Sequence, residues 1–523
     1  MRITEILSRN ARMYGEEVAL VERAPESGTR REITWAAFDR RASRFAHALA
    51  RGGIGPGDTV VQLMMNSLEW LPVYFGILRT GAWAVPLNFR FTAEEIRYCA
   101  GVAEARAMVF GPEFTERIAA IKPALDRTVR RYLYIGPPAG RPAYAECGDD
   151  RLTTGPTDPP PGEESLTLDD PAALYFTSGT TGAPKAVLLT HRNLESAAYV
   201  ENRHHNQTHN DNFLCIPPLY HTGAKMHWFG NFIVGAKAVI LKGVRPQWIL
   251  DAVSEERVTV VWLLVPWAHD ILIAIENGDL DLDRYHIDQW RLMHIGAQPV
   301  PPSLIQKWKT VFPNHEYDTN YGLTEASGPG CVHLGMENAH KVGAIGVPGF
   351  DWECRILDER GEPLADGSPG ELAVKGPGIM REYYKNPEAT AATRIDGWLM
   401  TGDIARRDED GFIWLVDRKK DVIITGGENI YPVEIEYFLM SHPKVHDVAA
   451  IGLPDDRLGE IVAAVVQVKP GAELTEAELT DFCAQLPRYK RPRRYIFGEV
   501  PRNPTGKIEK PKLRKRYRGR AED

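Results

Sequence analysis

Three neighbouring segments near the N-terminus decide the fold class: TVVQLMM (59–65), SLEWLPVYFGILRTG (67–81) and AWAVPLN (82–88). The first and third are short apolar runs, and the second has the length and apolar spacing of a helix. Two strands joined by a helix form a βαβ unit, in which the strands are parallel and the crossover is right-handed. We expect Ser67 to cap the helix, because serine accepts free N-terminal N–H groups.

The same alternation returns at VTVVWLLVP (258–266) and WRLMHIGAQP (290–299), which predicts a large, layered α/β N-terminal domain with several subdomains. After Gly411 the pattern changes to short β runs at 412–416, 421–425, 448–452 and 463–468, with a helix at 432–436. This change predicts a small α+β C-terminal domain of ordinary size. The predicted domains are residues 1–417 and 418–523, and the proline-rich segment 155–170 is predicted to be a surface connection.

Composition excludes several classes of protein. The chain has 523 residues, 62 basic and 70 acidic, and a formal charge of -8, so nothing in its overall charge favours nucleic acid or an anionic membrane. The N-terminus lacks an apolar signal core, and no apolar run is long enough to span a bilayer. We expect a cytoplasmic protein without nucleic-acid partners or integral membrane association. The oligomeric state is left open, with a homodimer as one candidate.

The strongest local signal is LYFTSGTTGAPKAVLLTH (174–191), in which two β runs enclose small, hydroxylated and glycine residues and a lysine. Glycines allow backbone N–H groups to turn towards an anion, hydroxyls donate hydrogen bonds, and lysine adds positive charge. The spacing differs from that of the Walker loop. Taken alone, the segment is either a phosphate loop or a glycine-rich surface turn. The residues predicted to bind phosphate are Thr177, Ser178, Gly179, Thr180, Thr181, Gly182 and Lys185.

This segment resembles the signature of the adenylate-forming superfamily, which includes acyl-CoA synthetases, luciferases and nonribosomal-peptide adenylation domains. Further motifs of that family follow in its order over nearly the whole chain: PLYH (218–221) with Gly223, IGAQP (295–299), YGLTE (321–325), WLMTGD (398–403), DRKKD (417–421), GGENIYP (426–432) and PTGK (504–507). The resemblance implies an ATP-dependent acid–thiol ligase of the acyl-CoA synthetase type. Such an enzyme forms an acyl-adenylate, releases pyrophosphate and then makes a coenzyme A thioester, using ATP, Mg²⁺, coenzyme A and a small carboxylate.

The resemblance also implies roles for the adenine and phosphate contacts. Tyr321 is expected to stack on adenine, Thr324 to bind the α-phosphate, and Glu325 to coordinate magnesium, a cation that prefers oxygen ligands. Ala297 is expected to border adenine, where a small side chain leaves room for the base. Without this context, Tyr321 and Glu325 would be an ordinary core ring and a solvated charge.

Further roles are implied for the second half of the chain. Asp403 is expected to accept hydrogen bonds from both ribose hydroxyls, with Arg418 beside it, although an aspartate after Gly402 is also typical of a plain turn. Lys507 is expected to offset the charge that develops at the α-phosphate. Gly427 is expected to line the pantetheine tunnel. The small domain is expected to rotate about Lys420 between the two half-reactions.

The acyl pocket is less well specified by the sequence. His221 resembles the family residue that shields the carboxylate at the pocket mouth, and segments 221–228 and 265–267 are expected to form the pocket wall. Lys225 and His227 are unusual polar residues there. They either recognise a second polar group on the acid or point to solvent, and we favour the second interpretation. The acid itself is not predicted.

Two other functions compete with an acid–CoA ligase. An adenylating enzyme could load a separate carrier protein instead of coenzyme A, and the motifs do not distinguish these acceptors. A non-catalytic nucleotide-binding homologue would be expected to lack Lys507, Glu325 or a phosphate-loop residue, and all of these are present. Luciferase chemistry is not excluded by the motifs alone.

Overall fold

The computed structural model describes residues 1–177, 184–296, 300–333, 335–426, 428–502 and 508–518. Its first part alternates strands with helices. The elements are α1 (Ile3–Met13), β1 (Val18–Ala24), β2 (Thr29–Thr34), α2 (Trp35–Arg51), β3 (Thr59–Leu63), α3 (Trp70–Arg79), β4 (Trp83–Pro86), α4 (Ala93–Val102), β5 (Ala107–Phe110), α5 (Thr115–Leu125), β6 (Arg131–Tyr134), β7 (Glu146–Cys147) and α6 (Gly148–Thr153).

A second α/β part follows the connection at 155–170. Its elements are β8 (Pro171–Thr177), β9 (Lys185–Thr190), α7 (His191–His205), β10 (Asn212–Cys215), α8 (Thr222–Phe232), β11 (Lys237–Leu241), α9 (Pro246–Glu255), β12 (Val260–Leu264), α10 (Val265–Glu276), β13 (Leu292–Gly296), α11 (Pro302–Val311) and β14 (Glu316–Asp318).

The rest of the chain is richer in strands. Its elements are β15 (Asn320–Leu323), β16 (Gly328–Val332), β17 (Val347–Pro348), β18 (Glu353–Leu357), β19 (Gly370–Lys375), β20 (Glu382–Tyr383), α12 (Pro387–Thr393), β21 (Arg394–Ile395), β22 (Trp398–Arg407), β23 (Ile413–Arg418), β24 (Ile423–Thr425), β25 (Glu428–Ile430), α13 (Pro432–Met440), β26 (Val445–Asp455), β27 (Gly459–Val468), α14 (Glu476–Phe482), β28 (Arg494–Phe497) and α15 (Lys510–Tyr517).

The predicted βαβ unit is confirmed. Strands β3 and β4 pair in parallel, with Thr59 opposite Trp83 and Val61 opposite Val85, and α3 connects them. The predicted cap is wrong, because α3 begins at Trp70 and its N-cap residue is Glu69, which makes no side-chain cap. Ser67 instead contributes its carbonyl, which accepts the N–H of Trp70. The apolar run therefore starts in a turn before the helix does.

Two large sheets organise the α/β part. One has the strand order β20-β9-β8-β4-β3-β5-β6-β7, and the other has the order β14-β13-β12-β10-β11-β1-β2. The main hydrophobic cluster contains residues from both sheets and from α2, α3, α7 and α8, so these helices share one core with the two sheets. Helices α9, α10 and α11 cover the other face of the second sheet. This arrangement confirms the predicted layered α/β class.

A third, antiparallel sheet has the strand order β18-β19-β22-β21, and β23 pairs with β22. The last strands, β24 to β28, form a separate sheet. Helices α13 and α14 bury apolar residues against one face of it, and α15 buries Leu513 and Tyr517 against the other. The predicted small α+β C-terminal unit is thereby confirmed as a fold class. The boundary at residues 417 and 418 and the hinge at Lys420 stay predictions.

Within the described ranges, no helix combines the length and the apolar character needed to cross a bilayer.

Candidate functional site

Two of the residues predicted to bind phosphate lie on the paired strands of a β-hairpin. Strands β8 and β9 pair antiparallel, and Thr177 stands opposite Lys185 in the last observed pair. The Lys185 ammonium lies 4.7 Å from the centre of the Tyr383 ring. The other predicted phosphate residues lie outside the described ranges. They are Ser178, Gly179, Thr180, Thr181 and Gly182.

Three predicted nucleotide residues form one contact group. The Tyr321 hydroxyl donates to Oδ2 of Asp403 at 2.5 Å, and Nε of Arg418 lies 2.5 Å from Oδ1 of the same carboxylate. Asp403 and Arg418 are opposite each other across the β22–β23 pair. Burial raises the pKa of the Tyr321 phenol well above its ordinary value, and the Asp403 charge adds to the effect. The phenol therefore stays protonated and keeps Asp403 as its acceptor.

A second group connects the hairpin with the YGLTE motif. Strand β20 pairs with β9, and the Tyr383 hydroxyl donates to Oε1 of Glu325 at 2.8 Å. The backbone carbonyl of Glu325 accepts the Met380 N–H at 2.7 Å, which holds the motif against the segment before β20. Burial raises the pKa of Tyr383, and the Glu325 charge raises it further. Lys185, Tyr383 and Glu325 thus form one continuous contact path.

Helix α8 begins beside this group. His221 is its N-cap residue, and Nδ1 of His221 accepts the Gly223 N–H at 3.1 Å. At the first turn, Oγ1 of Thr222 lies 3.4 Å from Oγ1 of Thr324. The start of α8 is therefore adjacent to the residue predicted to bind the α-phosphate, and the role of His221 at the pocket mouth stays a prediction.

Two glycines allow Trp262 to pack closely beside α8. A Cβ atom on Gly223 would come within 3.1 Å of the Trp262 indole, and one on Gly296 would lie 3.7 Å from Oγ1 of Thr319 and 3.9 Å from Nε1 of Trp262. Trp262 is therefore the surface that both glycines face. The indole nitrogen of Trp262 is buried without a hydrogen-bond partner.

The expected wall segment 265–267 is wrong in part. Val265 packs in the cluster on the other face of the second sheet, together with Val261 and Leu263. The side chain that faces Gly223 belongs instead to Trp262, on the preceding strand. Successive strand residues alternate between faces, so a prediction that misplaces the end of β12 selects the wrong side chains.

The preferred interpretation of Lys225 and His227 is also wrong, because neither points to solvent. Lys225 is fully buried, and its ammonium lies 4.4 Å from the Tyr175 ring centre and 4.8 Å from that of Tyr74. Burial lowers the pKa of Lys225 well below its ordinary value. His227 is 5% exposed and stacks on Trp262 with ring centres 4.3 Å apart. Residues from Thr222 to Phe232 are buried on all sides except at Gly223, so α8 has no solvent face.

Of the remaining predicted site residues, three lie outside the described ranges and Lys420 lies within them. Ala297, Gly427 and Lys507 lie outside the described ranges. Lys420 is the second residue after β23, and both of its neighbours make ion pairs: Lys419 pairs with Glu371 at 2.8 Å and Asp421 pairs with Arg514 at 2.8 Å. The first contact holds the residue before Lys420 to the antiparallel sheet, and the second holds the residue after it to α15 of the C-terminal unit.

Sequence reasoning missed Tyr383, Trp262 and His294. His294 lies on β13, and its Nε2 is 2.7 Å from Nε2 of His227. The signal for His294 was its position two residues before Gly296 at the end of a predicted strand, where a polar side chain in an apolar run is unusual. For Tyr383 no comparable signal exists, because its partner Glu325 is 58 residues away.

Comparison with known proteins matches this chain over most of its length. The family model described as AMP-binding enzyme matches residues 7–384, and the one described as AMP-binding enzyme C-terminal domain matches residues 434–507. The chain is 35% identical over 492 residues to feruloyl-CoA synthase of an Amycolatopsis species, covering 93% of this chain and 94% of that protein. It is 32% identical over 494 residues to the long-chain-fatty-acid–CoA ligase FadD13 of Mycobacterium tuberculosis, covering 94% of each.

Solved structures agree with the sequence relatives. The crystal structure of the anthranilate CoA ligase AuaEII in complex with anthranoyl-AMP is similar to this chain with a TM-score of 0.87 and 26% sequence identity, covering 99% of this chain and 97% of that one. The motifs, the fold and these relatives lead to the same assignment. The chain belongs to the family of AMP-binding enzymes, within the adenylate-forming acyl-CoA synthetase superfamily that its motifs resemble.

Proposed function

We propose that this chain is an ATP-dependent carboxylic acid–CoA ligase in which the residues around Asp403 and Glu325 hold ATP and the residues at the start of α8 contact the acid. The observation that carries the proposal is the Tyr321–Asp403–Arg418 group. It joins residues of three separate motifs and brings a ring, a carboxylate and a guanidinium into contact, which supports the nucleoside site that we propose.

The ribose role of Asp403 is supported by its acceptor count. An ionised carboxylate has about four acceptor positions. Tyr321 and Arg418 use one position on each oxygen, so each oxygen keeps one for a ribose hydroxyl. The same hydrogen bond fixes the Tyr321 ring, which we propose stacks on adenine.

The first half-reaction follows from the chemistry of a carboxylate. One substrate carboxylate oxygen attacks the α-phosphorus, the bond from that phosphorus to the oxygen bridging to the β-phosphorus breaks, and pyrophosphate leaves. The reaction brings two anions together, so cations and fixed donors must gather at the α-phosphate. We propose that Thr324, Lys185 and Lys507 serve this need, and that His221 shields the carboxylate from water.

We propose Glu325 as the protein ligand of Mg²⁺. Its carboxylate is a hard oxygen donor and retains acceptor positions beyond the Tyr383 hydrogen bond, which suits a cation that otherwise binds phosphate oxygens and water. When bound, Mg²⁺ neutralises phosphate charge. Tyr383 holds the Glu325 carboxylate in place beside the hairpin that ends at Lys185.

In the second half-reaction the coenzyme A thiol attacks the acyl carbon, the bond from that carbon to the phosphate oxygen breaks, AMP leaves, and the thiol proton passes to solvent. We propose that the C-terminal unit rotates at Lys420 between the two steps and that Gly427 then faces the pantetheine arm. A cytoplasmic location and the oligomeric state remain predictions from the sequence, with a homodimer as one candidate.

The names of the three relatives refer to three chemically different acids, ferulate, a long-chain fatty acid and anthranilate, so relationship alone does not name the acid for this chain. The test is an acid panel in which pyrophosphate release is measured with ATP and Mg²⁺, followed by mass spectrometry of the thioester after coenzyme A is added. We expect acid-dependent pyrophosphate release and an acyl-CoA product.

Two outcomes would contradict the proposal. Absence of acid-dependent pyrophosphate release across the panel would indicate a nucleotide-binding protein without ligase activity. Thioester formation on a holo carrier protein but not on coenzyme A would show that the acceptor is the carrier protein. Lys507→Ala is the matched control. The folded variant, prepared in the same way as the unmodified chain, should lose most of its pyrophosphate release.

A further inference from the structure

Two cysteine side chains meet where two sheets adjoin. Cys331 lies on β16 and Cys354 lies on β18, and their sulfur atoms are 3.4 Å apart. Within the described ranges this is the one pair of cysteine sulfurs in contact, and both residues are free thiols. A separation of 3.4 Å leaves no room for another atom between the sulfurs. Neither residue belongs to the nucleotide or acyl groups of side chains described above.

The two thiols differ in their access to solvent. Cys331 is fully buried, and its hydrogen bond with Cys354, together with burial, raises the pKa of the Cys331 thiol well above its ordinary value. Cys354 is partly exposed and lines a cavity of about 350 Å³ along β18, between Arg355 and the segment 363–366. A cavity of about 10–15 Å³ already holds one water molecule, so this one admits a small peroxide. Cys354 is therefore the thiol that an oxidant reaches first.

Backbone hydrogen bonds hold the two thiols side by side. The Gly330 carbonyl accepts the Gly349 N–H at 2.9 Å, and the Gly349 carbonyl accepts the Trp352 N–H at 3.0 Å. These bonds connect β16 with the residues that lead into β18. An S–S bond is about 2.05 Å long, so the two sulfurs have to approach by about 1.4 Å. This distance is well below the rise of one strand residue, so neither sheet has to change its register.

The strands that carry the two thiols also carry the nucleotide group. Cys331 stands opposite Tyr321 in the β15–β16 pair. On the other side, β18 pairs with β19, and β19 pairs with β22, the strand of Asp403. A bond between Cys331 and Cys354 would therefore draw the strand pair of Tyr321 towards the sheet of Asp403. The Tyr321 hydroxyl already touches Asp403, and packed interiors transmit such a shift instead of absorbing it.

We infer that Cys331 and Cys354 are an oxidative modification site at which a small peroxide makes a reversible disulfide, and that this disulfide weakens the use of ATP. The effect on ATP rests on the proposed function, whereas the formation of the bond does not. A displacement of about 1 Å at a substrate-positioning group costs up to about a hundredfold in rate, so a shift of Tyr321 is enough to be measured.

The oxidation balances with hydrogen peroxide as the oxidant. The Cys354 thiolate attacks one peroxide oxygen, the O–O bond breaks, and the released hydroxide leaves as water with the proton that the thiol gave up. Cys354 is then a sulfenic acid. The Cys331 sulfur attacks the Cys354 sulfur, the S–O bond breaks, and the leaving hydroxide takes the Cys331 proton. The two thiols lose two electrons and two protons, and one peroxide becomes two waters.

The first measurement detects the bond itself. Trypsin cuts after Lys309, Lys341 and Arg355, so each cysteine is the only one in its peptide, residues 310–341 and 342–355. The reduced chain is treated with hydrogen peroxide, its remaining thiols are blocked, and the digest is analysed by mass spectrometry. We expect the two peptides to be joined and to separate after dithiothreitol, which reduces disulfides by exchange. Methionine sulfoxide needs an enzyme for its reduction, so this reversal distinguishes the two kinds of oxidation.

The second measurement is the KM for ATP of the reduced, oxidised and re-reduced chain with the best acid of the panel. We expect oxidation to raise this KM by about threefold or more and dithiothreitol to restore it. Cys354→Ser should keep the reduced value after peroxide treatment. Cys331→Ala should also keep it, but Cys354 should then accumulate as a sulfenic acid, which dimedone labels in peptide 342–355. Two independent variants protect the test against one that does not fold.

Cys147→Ser is the matched control. Cys147 is a partly exposed thiol like Cys354, but it lies on β7, where it stands opposite Tyr134 on β6. Its loss should leave both the joined peptides and the effect of peroxide on the KM for ATP unchanged. The control therefore separates oxidation of the Cys331–Cys354 pair from oxidation of any accessible thiol.

Each contrary outcome has its own meaning. Two peptides that stay separate after peroxide treatment would overturn the inference and leave the ligase standing. Joined peptides with an unchanged KM for ATP, or a rise in KM that persists in Cys354→Ser, would overturn the connection between the disulfide and ATP. Absence of turnover by the reduced chain across the whole acid panel would overturn the proposed function, and the peptide measurement would still decide whether the bond forms.

Discussion

The nucleotide region and the acyl region differ in how their side chains are partnered. Around Asp403 and Glu325, each key group already has a protein partner: Tyr321 and Arg418 hold Asp403, and Tyr383 holds Glu325. In the part of the chain that the structure describes, the buried indole N–H of Trp262 has no hydrogen-bond partner. The first region is therefore fixed before substrate arrives. The second retains a hydrogen-bond donor that no described residue uses.

This difference has a consequence for variation between related enzymes. Related enzymes that use the same nucleotide can bind it with the same set of side chains. Different acids require different side chains in the acyl pocket. Substitutions in the first region should affect every acid equally, and substitutions in the second should change the ranking of acids. The following predictions separate the two behaviours, beginning with the largest effect.

Lys507→Ala should reduce acyl-adenylate formation by about two to three decades, because a charge-assisted contact at the α-phosphate is worth about 3–4 kcal/mol. Conversion of supplied acyl-AMP to acyl-CoA should fall far less, since we propose that Lys507 has moved away by then. Single-turnover kinetics of each half-reaction on one preparation would measure both. A loss of the same factor in both steps would contradict domain alternation at Lys420.

Asp403→Ala should raise the KM for ATP by about ten- to a hundredfold, because it removes the proposed ribose acceptors and strands Tyr321 and Arg418 without their partner. The ranking of acids should not change. The control is Asp366→Ala, which removes an exposed ion pair with Arg407 in the same part of the chain and should leave ATP use unaltered. An altered acid ranking with normal ATP use would contradict the proposal, because it would show that Asp403 acts in the acyl region.

Tyr383→Phe should slow adenylation about three- to tenfold with every acid, because Glu325 loses the hydroxyl that holds it. The dependence of the rate on Mg²⁺ concentration should shift to higher concentrations. Tyr384→Phe is the neighbouring control, since the Tyr384 ring packs against Trp83 and away from Glu325. If both variants behaved alike, the hydroxyl of Tyr383 would have no special role.

Lys225→Met should raise the free energy of unfolding at pH 7 by about 1–3 kcal/mol, because an amine without a hydrogen bond is costly to bury. The folded-state pKa of Lys225 is lowered, so the unfolded chain binds one proton more than the folded chain between that pKa and the ordinary one. The free energy of unfolding of the unmodified chain therefore rises with pH between these two pKa values. The stability that Lys225→Met adds becomes smaller as the pH rises through the same window.

Denaturant titrations at pH 7 and pH 9.5 would measure this difference. Lys307→Met, which removes an ion pair between partly exposed side chains, should change stability by no more than about 0.5 kcal/mol. A destabilised Lys225→Met would show that the rings of Tyr74 and Tyr175 hold a charged ammonium.

The sequence also predicts the structure to different extents in different parts of the chain. The βαβ unit around α3 and the change of pattern after Gly411 could be predicted, because apolar periodicity reflects burial directly. The contact between Tyr321 and Asp403 joins residues 82 positions apart, and only the resemblance to a family brought them together before the structure did.

The acyl region was predicted less well for a physical reason. An amphipathic helix shows which of its faces meets solvent, but α8 is buried almost all round and has no such face. Lys225 and His227 therefore looked like candidates for solvent, although one faces aromatic rings and the other faces Trp262. Which side chain meets the acid depends on the packing of β12, β13 and α8 together, and no local pattern contains that information.

The most direct measurement of the central claim is a kinetic cycle with Asp403→Asn, Trp262→Phe and the double variant. For each protein, the KM for ATP and the ratio of kcat/KM between the two best acids of the panel are determined. The account predicts that Asp403→Asn changes only the KM for ATP, that Trp262→Phe changes only the acid ratio, and that the double variant shows both effects additively. A change in both quantities caused by either single variant would contradict the separation of the two regions.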